Sequence, residues 1–215
     1  MMETFFWEET ISHAKIVSGT VSRLLEAMAI QFHSQLNSNQ EIQYKVTVFD
    51  LRTVPDIQLW DYIFRIMTMS KCIYRDLIAA LVYVDTLINS GVISGISFNN
   101  MHRLVALSMM TSTKFFDDVH YSNASWSKIV GIPLRELNSA EITFLQSLNF
   151  DVNIKFETLQ TWSEWITRFA DENPNQEREI ALKTEERAQE FTENNNQEFS
   201  DQPISCESIN STIKL

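Results

Sequence analysis

Glycine and proline are scarce in this chain, with four of each among 215 residues. Both residues interrupt helices, so their scarcity favours long helical segments. The apolar residues make up 44% of the sequence, which is enough for a sizeable hydrophobic core. These properties predict an all-α protein built around one main domain.

Cysteine is rarer still, because only Cys72 and Cys206 are present. Their wide separation argues against a disulfide framework or a thiolate metal site. The four histidines have no partner at i+4, and the sequence contains no phosphate-binding loop or nucleophile elbow. We therefore expect no catalytic residue, metal, cofactor or small-molecule substrate. A reducing, intracellular location follows, in the cytoplasm, the nucleus or both.

Basic residues are outnumbered, with 17 lysines and arginines against 28 acids and a formal net charge of −11. Nucleic-acid binding needs clustered bases that displace counterions from phosphates, so a protein is the expected partner instead.

Residues 171–215 hold 11 of the acids and only 4 of the bases, with scattered apolar residues. We predict that this tail is mostly disordered, because it buries too little surface to offset the entropy of ordering.

Long apolar runs are also missing. The most apolar stretch, residues 77–84, is bounded by Asp76 and Asp85. A bilayer needs about 20 apolar residues in a helix, so the sequence predicts no membrane span. The acidic start "MMETFFWEET" does not have the basic character of a signal peptide.

Helical periodicity recurs between short polar interruptions. Residues 99–116 mix small and large apolar side chains around most of the circumference, as expected for a helix surrounded by neighbours. Gly91 and Gly131 stand where helices should end. Residues 21–36 predict another helix with one apolar stripe, formed by Val21, Leu24, Leu25, Met28 and Phe32.

The segment "KVTVFDLRTVPDI" alternates apolar and polar residues as a strand would, but it contains Pro55 and has no partner strand. We interpret it as an extended arm laid over helices.

Two adjacent acids, Asp117 and Asp118, follow the helix predicted for residues 99–116. The C-terminal end of a helix repels negative charge, so a loop or a partner must compensate them. Adjacent helical residues point about 100° apart, and no base or oxyanion donor is close in sequence. This arrangement argues against paired catalytic carboxylates.

Three stretches identify a family: "TVFDLRTVPDIQLWDYIFRI", "AALVYVDTLI" and "TKFFDDVHYSNASWSKIVGIPLRELNSAEITFLQSLNFDV". Together they resemble a cyclin box, and more narrowly that of the P-type or U-type cyclins, over residues 24–166. The resemblance implies a single five-helix bundle around a central third helix, with flanking helices at both ends. It also implies a regulatory subunit that is not an enzyme itself and that activates a cyclin-dependent protein kinase by positioning its active-site helix.

The resemblance assigns roles to individual residues. Lys114 and Glu141 match the family's lysine and glutamate that contact the backbone around the kinase helix, and Asp117 and Asp118 are candidate contacts for basic kinase residues. Glu141 also stands three residues after Asn138, as in a capping box.

Four residues are expected to be structural. Trp126 should lie in the core, and Asn123, with Ser125, should cap the short helix that carries the tryptophan. Asp85 matches a family aspartate, for which Arg65 is the expected partner. The arm should pack on the bundle and bury its apolar side chains Val46, Val48 and Leu51.

The sequence divides into an N-terminal helix and arm (1–54), the cyclin box with a following helix (55–170) and the acidic tail (171–215). One alternative function stays open, a kinase-independent helical adaptor that docks proteins through its tail and exposed aromatic residues.

Overall fold

The computed structural model describes residues 11–38, 44–172 and 204–205, with side chains from residue 16 onward in the first range and throughout the second. Seven α-helices and one pair of two-residue strands occupy this part of the chain. They are α1 (Ile11–Ser38), α2 (Leu59–Ser70), α3 (Tyr74–Asn89), α4 (Met101–Phe116), β1 (Val119–His120), α5 (Asn123–Val130), α6 (Leu134–Ser147), α7 (Phe156–Asp171) and β2 (Ile204–Ser205). The two strands pair antiparallel. The all-α prediction is confirmed.

Helix α4 is the centre of the bundle, as the sequence predicts. Twelve of its side chains are buried, including the small residues Ala106, Ser108 and Ser112, which have at most 1% exposure. Small side chains let neighbouring helices approach closely, and α3, α2 and α6 all pack on α4. The five helices α2–α6 therefore form the bundle around its third member, and α1 and α7 flank it.

The N-terminal helix α1 packs on α2 through the predicted stripe. Val21 and Leu25 are almost fully buried, and Phe32 is 7% exposed. The helix is longer than its strongest periodic segment, because it begins at Ile11.

Glycine and proline mark several helix ends and starts, as their backbone conformations favour. Gly91 and Gly131 have φ of +70° after α3 and at the end of α5, a left-handed conformation that glycine adopts without a Cβ penalty. The capping box predicted at Asn138 is wrong, because α6 already begins at Leu134, directly after Pro133. Proline fixes the backbone for a helix start there, so Asn138 and Glu141 lie inside the helix.

The arm before α2 is extended, but its burial differs from the expectation. Val46 and Val48 are 74% and 50% exposed and Leu51 is half-buried, whereas Phe49 is 1% exposed. A turn causes the difference: the backbone N–H of Asp50 donates to the carbonyl of Thr47, and the Asp50 carboxylate accepts from the Thr47 N–H and hydroxyl. The turn breaks the strand-like alternation and directs Phe49 inward.

Phe49 joins the arm to the bundle. Its ring packs edge-on against Phe144 of α6, with 6.0 Å between ring centroids, and Phe144 packs in the same way against Tyr83 of α3. Backbone hydrogen bonding adds to the attachment, because the Leu51 N–H donates to the Asn99 carbonyl at 2.8 Å and the Asn99 side chain donates back to Leu51.

No helix in residues 11–38 and 44–172 is long and apolar enough to cross a membrane. The tail prediction falls almost entirely on residues outside those the structure describes. The three domain limits stay a prediction.

Candidate functional site

A polar cluster forms where α4, α5 and α6 meet, and it contains both residues expected to contact a kinase. The ammonium Nζ of Lys114 donates to Glu141 Oε1 at 2.6 Å and to Asn123 Oδ1. Asn123 Nδ2 donates in turn to Glu141 Oε2 at 2.6 Å and to Asn138 Oδ1 at 2.8 Å. Lys114, Asn123 and Glu141 thus close a ring of hydrogen bonds, which we call the Lys–Asn–Glu ring.

Each member of the ring is placed by its own helix. Lys114 is in the last turn of α4, where a cation is favoured by the helix dipole. Asn123 is the first residue of α5, and Glu141 lies in the middle of α6. The side chains of Lys114 and Glu141 are 24% and 15% exposed, so the ion pair is largely withdrawn from solvent but still reaches the surface.

The cap of α5 is Ser122 and not Asn123 or Ser125. The Ser122 hydroxyl accepts a hydrogen bond from the Ser125 N–H at 3.2 Å, which satisfies one free donor at the helix start. Because Ser122 caps the helix, the Asn123 side chain is available to bridge Lys114 and Glu141. Trp126, one turn further, is fully buried.

Removing the cap should loosen α5, which is only eight residues long. We expect Ser122→Ala to lower the free energy of unfolding by about 1 kcal/mol, the usual cost of losing an N-cap hydroxyl. Urea denaturation followed by circular dichroism measures it. Ser139→Ala, at an exposed serine inside α6, is the matched control and should stay within about 0.5 kcal/mol. Equal losses in the two variants would contradict the capping role.

The two acids after α4 are compensated within the chain. Arg75 Nη2 bonds Asp117 Oδ1 at 2.5 Å and Asp76 Oδ1 at 3.1 Å, and its guanidinium lies 5.2 Å from the centre of the Phe116 ring. Burial and the nearby Asp76 charge raise the pKa of Asp117. Asp118 is exposed and also takes part in interactions within the chain.

Sequence reasoning did not single out Arg75 or Asp76, although Asp76 is fully buried. Its Oδ2 accepts the Ile73 N–H at 3.0 Å at the start of α3. Burial raises the pKa of Asp76, and its hydrogen bonds and Arg75 oppose that rise. An acid three residues into a predicted helix is a recognisable capping signal, but nothing local links Arg75 to Asp117.

The expected pair between Arg65 and Asp85 does not form. Arg65 Nη2 donates to the Lys128 carbonyl at 3.1 Å in the last turn of α5, a position where the helix dipole favours a cation. Asp85 instead accepts a hydrogen bond from Asn89 on its own helix. The reason is geometric: α2 packs on α5, so the Arg65 side chain is bound away from α3.

Comparison with known proteins agrees with this fold. The cyclin family profile matches residues 13–152. Cyclin-U4-3 of Arabidopsis thaliana is 31% identical over 147 residues, 67% of each chain. Cyclin-P4-1 of Oryza sativa subsp. japonica is 33% identical over 109 residues, 51% of each chain. The PHO85 cyclin-like protein psl1 of Schizosaccharomyces pombe is 26% identical over 184 residues, 77% of this chain and 75% of its own.

The chain belongs to the cyclin family, whose members are regulatory subunits of cyclin-dependent kinases and not enzymes. Its relatives are of the U and P types, which places it in the P/U-type branch.

Proposed function

We propose that this chain binds and activates a cyclin-dependent serine/threonine kinase by holding the kinase's active-site helix in place. That helix carries the glutamate that must pair with the ATP-binding lysine before phosphoryl transfer can occur. The observation that carries the proposal is the Lys–Asn–Glu ring, a preassembled polar group at the surface. The family relationship and the similarity to the PHO85 cyclin-like protein of Schizosaccharomyces pombe support the same partner class.

The ring keeps hydrogen-bonding capacity for a partner. An ammonium group has three donors, and Lys114 uses two of them within the part of the chain that the structure describes. Each oxygen of Glu141 accepts one internal hydrogen bond and can accept a second. One donor and two acceptor positions therefore suit the carbonyl and N–H groups at a helix end.

Two exposed apolar side chains directly follow ring residues in the sequence and would lie at the edge of the proposed interface. Phe115 follows Lys114 and is 45% exposed, and Ile142 follows Glu141 and is 55% exposed. Interfaces commonly surround a buried polar contact with apolar anchors that exclude water. We also propose Asp117 and Asp118 as contacts for basic kinase residues, with one Asp117 oxygen already bonded to Arg75.

The test uses the kinase that co-purifies with the chain and is identified by mass spectrometry. Lys114→Ala and Glu141→Ala should each weaken association with that kinase tenfold or more, equivalent to about 1.4 kcal/mol. Each variant leaves a largely desolvated group unpaired at the interface. Titration calorimetry measures the affinity, and Lys155→Ala and Glu164→Ala, at exposed residues of the same types, serve as matched controls.

A charge swap separates kinase binding from a purely internal role. The double variant Lys114→Glu with Glu141→Lys keeps an ion pair between α4 and α6 but inverts the donors and acceptors offered outward. It should fold with near wild-type stability and still fail to bind the kinase. If the swapped protein bound the kinase normally, the ring would have only a structural role within the bundle.

Activation is a separate step and needs its own measurement. The purified kinase should phosphorylate a peptide substrate faster with the wild-type chain than alone, and the swapped variant should give no increase. Repeated absence of any kinase from the captured proteins would favour the adaptor alternative.

A further inference from the structure

A second polar site lies at the opposite end of α4 from the Lys–Asn–Glu ring. It is a cavity of about 680 Å³ between the arm, α2, the start of α4 and the turn from α5 to α6. His102 and Arg103, in the first turn of α4, line it, and they precede Lys114 by about 18 Å along the helix. The cavity is large enough for part of a peptide or a small organic ligand.

Three arginines line the cavity in a chain whose net charge is −11: Arg52, Arg65 and Arg103. Two acids also line it, but both already interact with other side chains of the chain. Glu136 pairs with Arg103, and Asp50 accepts hydrogen bonds from Tyr44 and Thr47. Arg52 and Arg65 therefore keep their positive charge without an acidic partner in residues 44–172.

The arginines also keep unused hydrogen-bond donors. Arg52 is exposed and has no hydrogen-bond partner in the described ranges, and Arg65 makes one such bond, to the Lys128 carbonyl. His102 is 3% exposed and its Nε2 bonds the Ile57 carbonyl, while its buried Nδ1 has no partner among the described residues. The buried Nε atoms of Arg65 and Arg103 also have no hydrogen-bond partner among the described residues. The donors that a ligand in the cavity can reach are therefore those of the exposed Arg52 guanidinium and the remaining N–H groups of Arg65.

The walls between the arginines are apolar. Leu51, Pro55, Ile57, Val130 and Ile132 line the cavity together with Tyr62, whose hydroxyl is already bonded to the Val130 carbonyl. A ligand that fits must therefore combine a charged group with apolar surface. An isolated ion would use only the arginine side of the cavity.

We propose that this cavity is a docking site for a peptide segment that carries a phosphorylated side chain. A phosphate monoester offers close to two negative charges and three acceptor oxygens, so it can bond the guanidinium groups of Arg52 and Arg65 together. A single carboxylate is satisfied by one guanidinium fork. The neighbouring residues of the peptide would cover Pro55, Ile57 and Val130.

The site is tested on the full chain with three probes: a mixed-sequence peptide pool with a central phosphoserine, the same pool with serine, and inorganic phosphate. Fluorescence anisotropy should show at least tenfold tighter binding of the phosphoserine pool than of the serine pool. Nuclear magnetic resonance of the labelled chain should show shifts at Arg52, Arg65 and Gly131, which line the cavity, and none at Lys114.

Two variants and one control identify the groups that bind. Arg52→Ala and Arg65→Gln should each reduce binding of the phosphoserine pool tenfold or more, and Arg168→Ala, at an exposed arginine on α7, should not change it. Arg52 makes no hydrogen bond in the described ranges, so its removal leaves the fold intact. Equal binding of both pools, or wild-type binding by Arg52→Ala, would overturn the proposal. Inorganic phosphate that competes at the same concentration as the phosphoserine pool would show a site for the free ion instead.

Discussion

Arg75→Ala is expected to lower the free energy of unfolding at pH 7 by roughly 3–5 kcal/mol, the range for breaking a buried ion pair from one side. The guanidinium bonds two carboxylates, Asp76 and Asp117, that no other basic group is seen to contact in residues 44–172. Asp76 is fully buried, so without Arg75 its charge has no basic partner among residues 44–172 and depends on hydrogen bonds such as that from the Ile73 N–H. Urea denaturation of both proteins measures the difference.

The loss should depend on pH in a defined direction. The folded-state pKa values of Asp76 and Asp117 are raised above their ordinary value of 3.8, so both acids bind protons more tightly in the folded chain. Their contribution to stability is present below that value and is lost as pH rises through the folded pKa. Removing Arg75 raises the folded pKa values further, so the deficit of the variant should shrink as the pH falls through them.

Two controls separate this effect from lost packing on Phe116. In an Asp76→Asn background, Arg75→Ala should cost clearly less, because the buried charge is already gone. Arg168→Ala, at an exposed arginine, should stay within about 0.5 kcal/mol. A deficit that stayed constant from neutral to acid pH would contradict the electrostatic explanation.

Phe49→Ala should also cost roughly 3–5 kcal/mol, the usual loss for truncating a buried phenylalanine. Phe49 is 1% exposed and packs edge-on against Phe144, so its removal leaves a cavity beneath the arm. Thermal and urea denaturation measure the loss.

The matched control is in the same arm. Val46→Ala should change stability by no more than about 0.5 kcal/mol, because that side chain is 74% exposed. If Val46→Ala cost as much as Phe49→Ala, the arm would pack in the alternating register that the sequence pattern suggests.

The helices and the central position of α4 could be predicted because burial on all sides imposes a local pattern of side chains. The arm was harder to predict because alternation in "KVTVFD" fits a strand, whereas the Thr47–Asp50 hydrogen bonds form a turn. A threonine three residues before an aspartate is the signal that could have revealed it.

The site was only partly predictable. Lys114 and Glu141 followed from the family resemblance, but the role of Asn123 depended on which of two neighbouring polar residues caps α5. Both Ser122 and Asn123 have suitable side chains, and only the approach of α6 decides between them. Two further features, the link from Arg75 to Asp117 and the arginine-lined cavity, bring together residues from distant segments. No local sequence pattern predicts them.

The contact between Phe49 and Phe144 also bears on the order of folding. It spans 95 residues along the chain, whereas α3 and α4, the helices with the most extensive contact, are separated by a short connection. Closing a long loop costs more chain entropy than closing a short one, so adjacent helices should associate before the arm docks. An anchor that forms after the rate-limiting step acts mainly on the unfolding rate. Contacts of Phe49 should therefore form late in folding and determine mainly the unfolding rate, and with it the lifetime of the folded bundle.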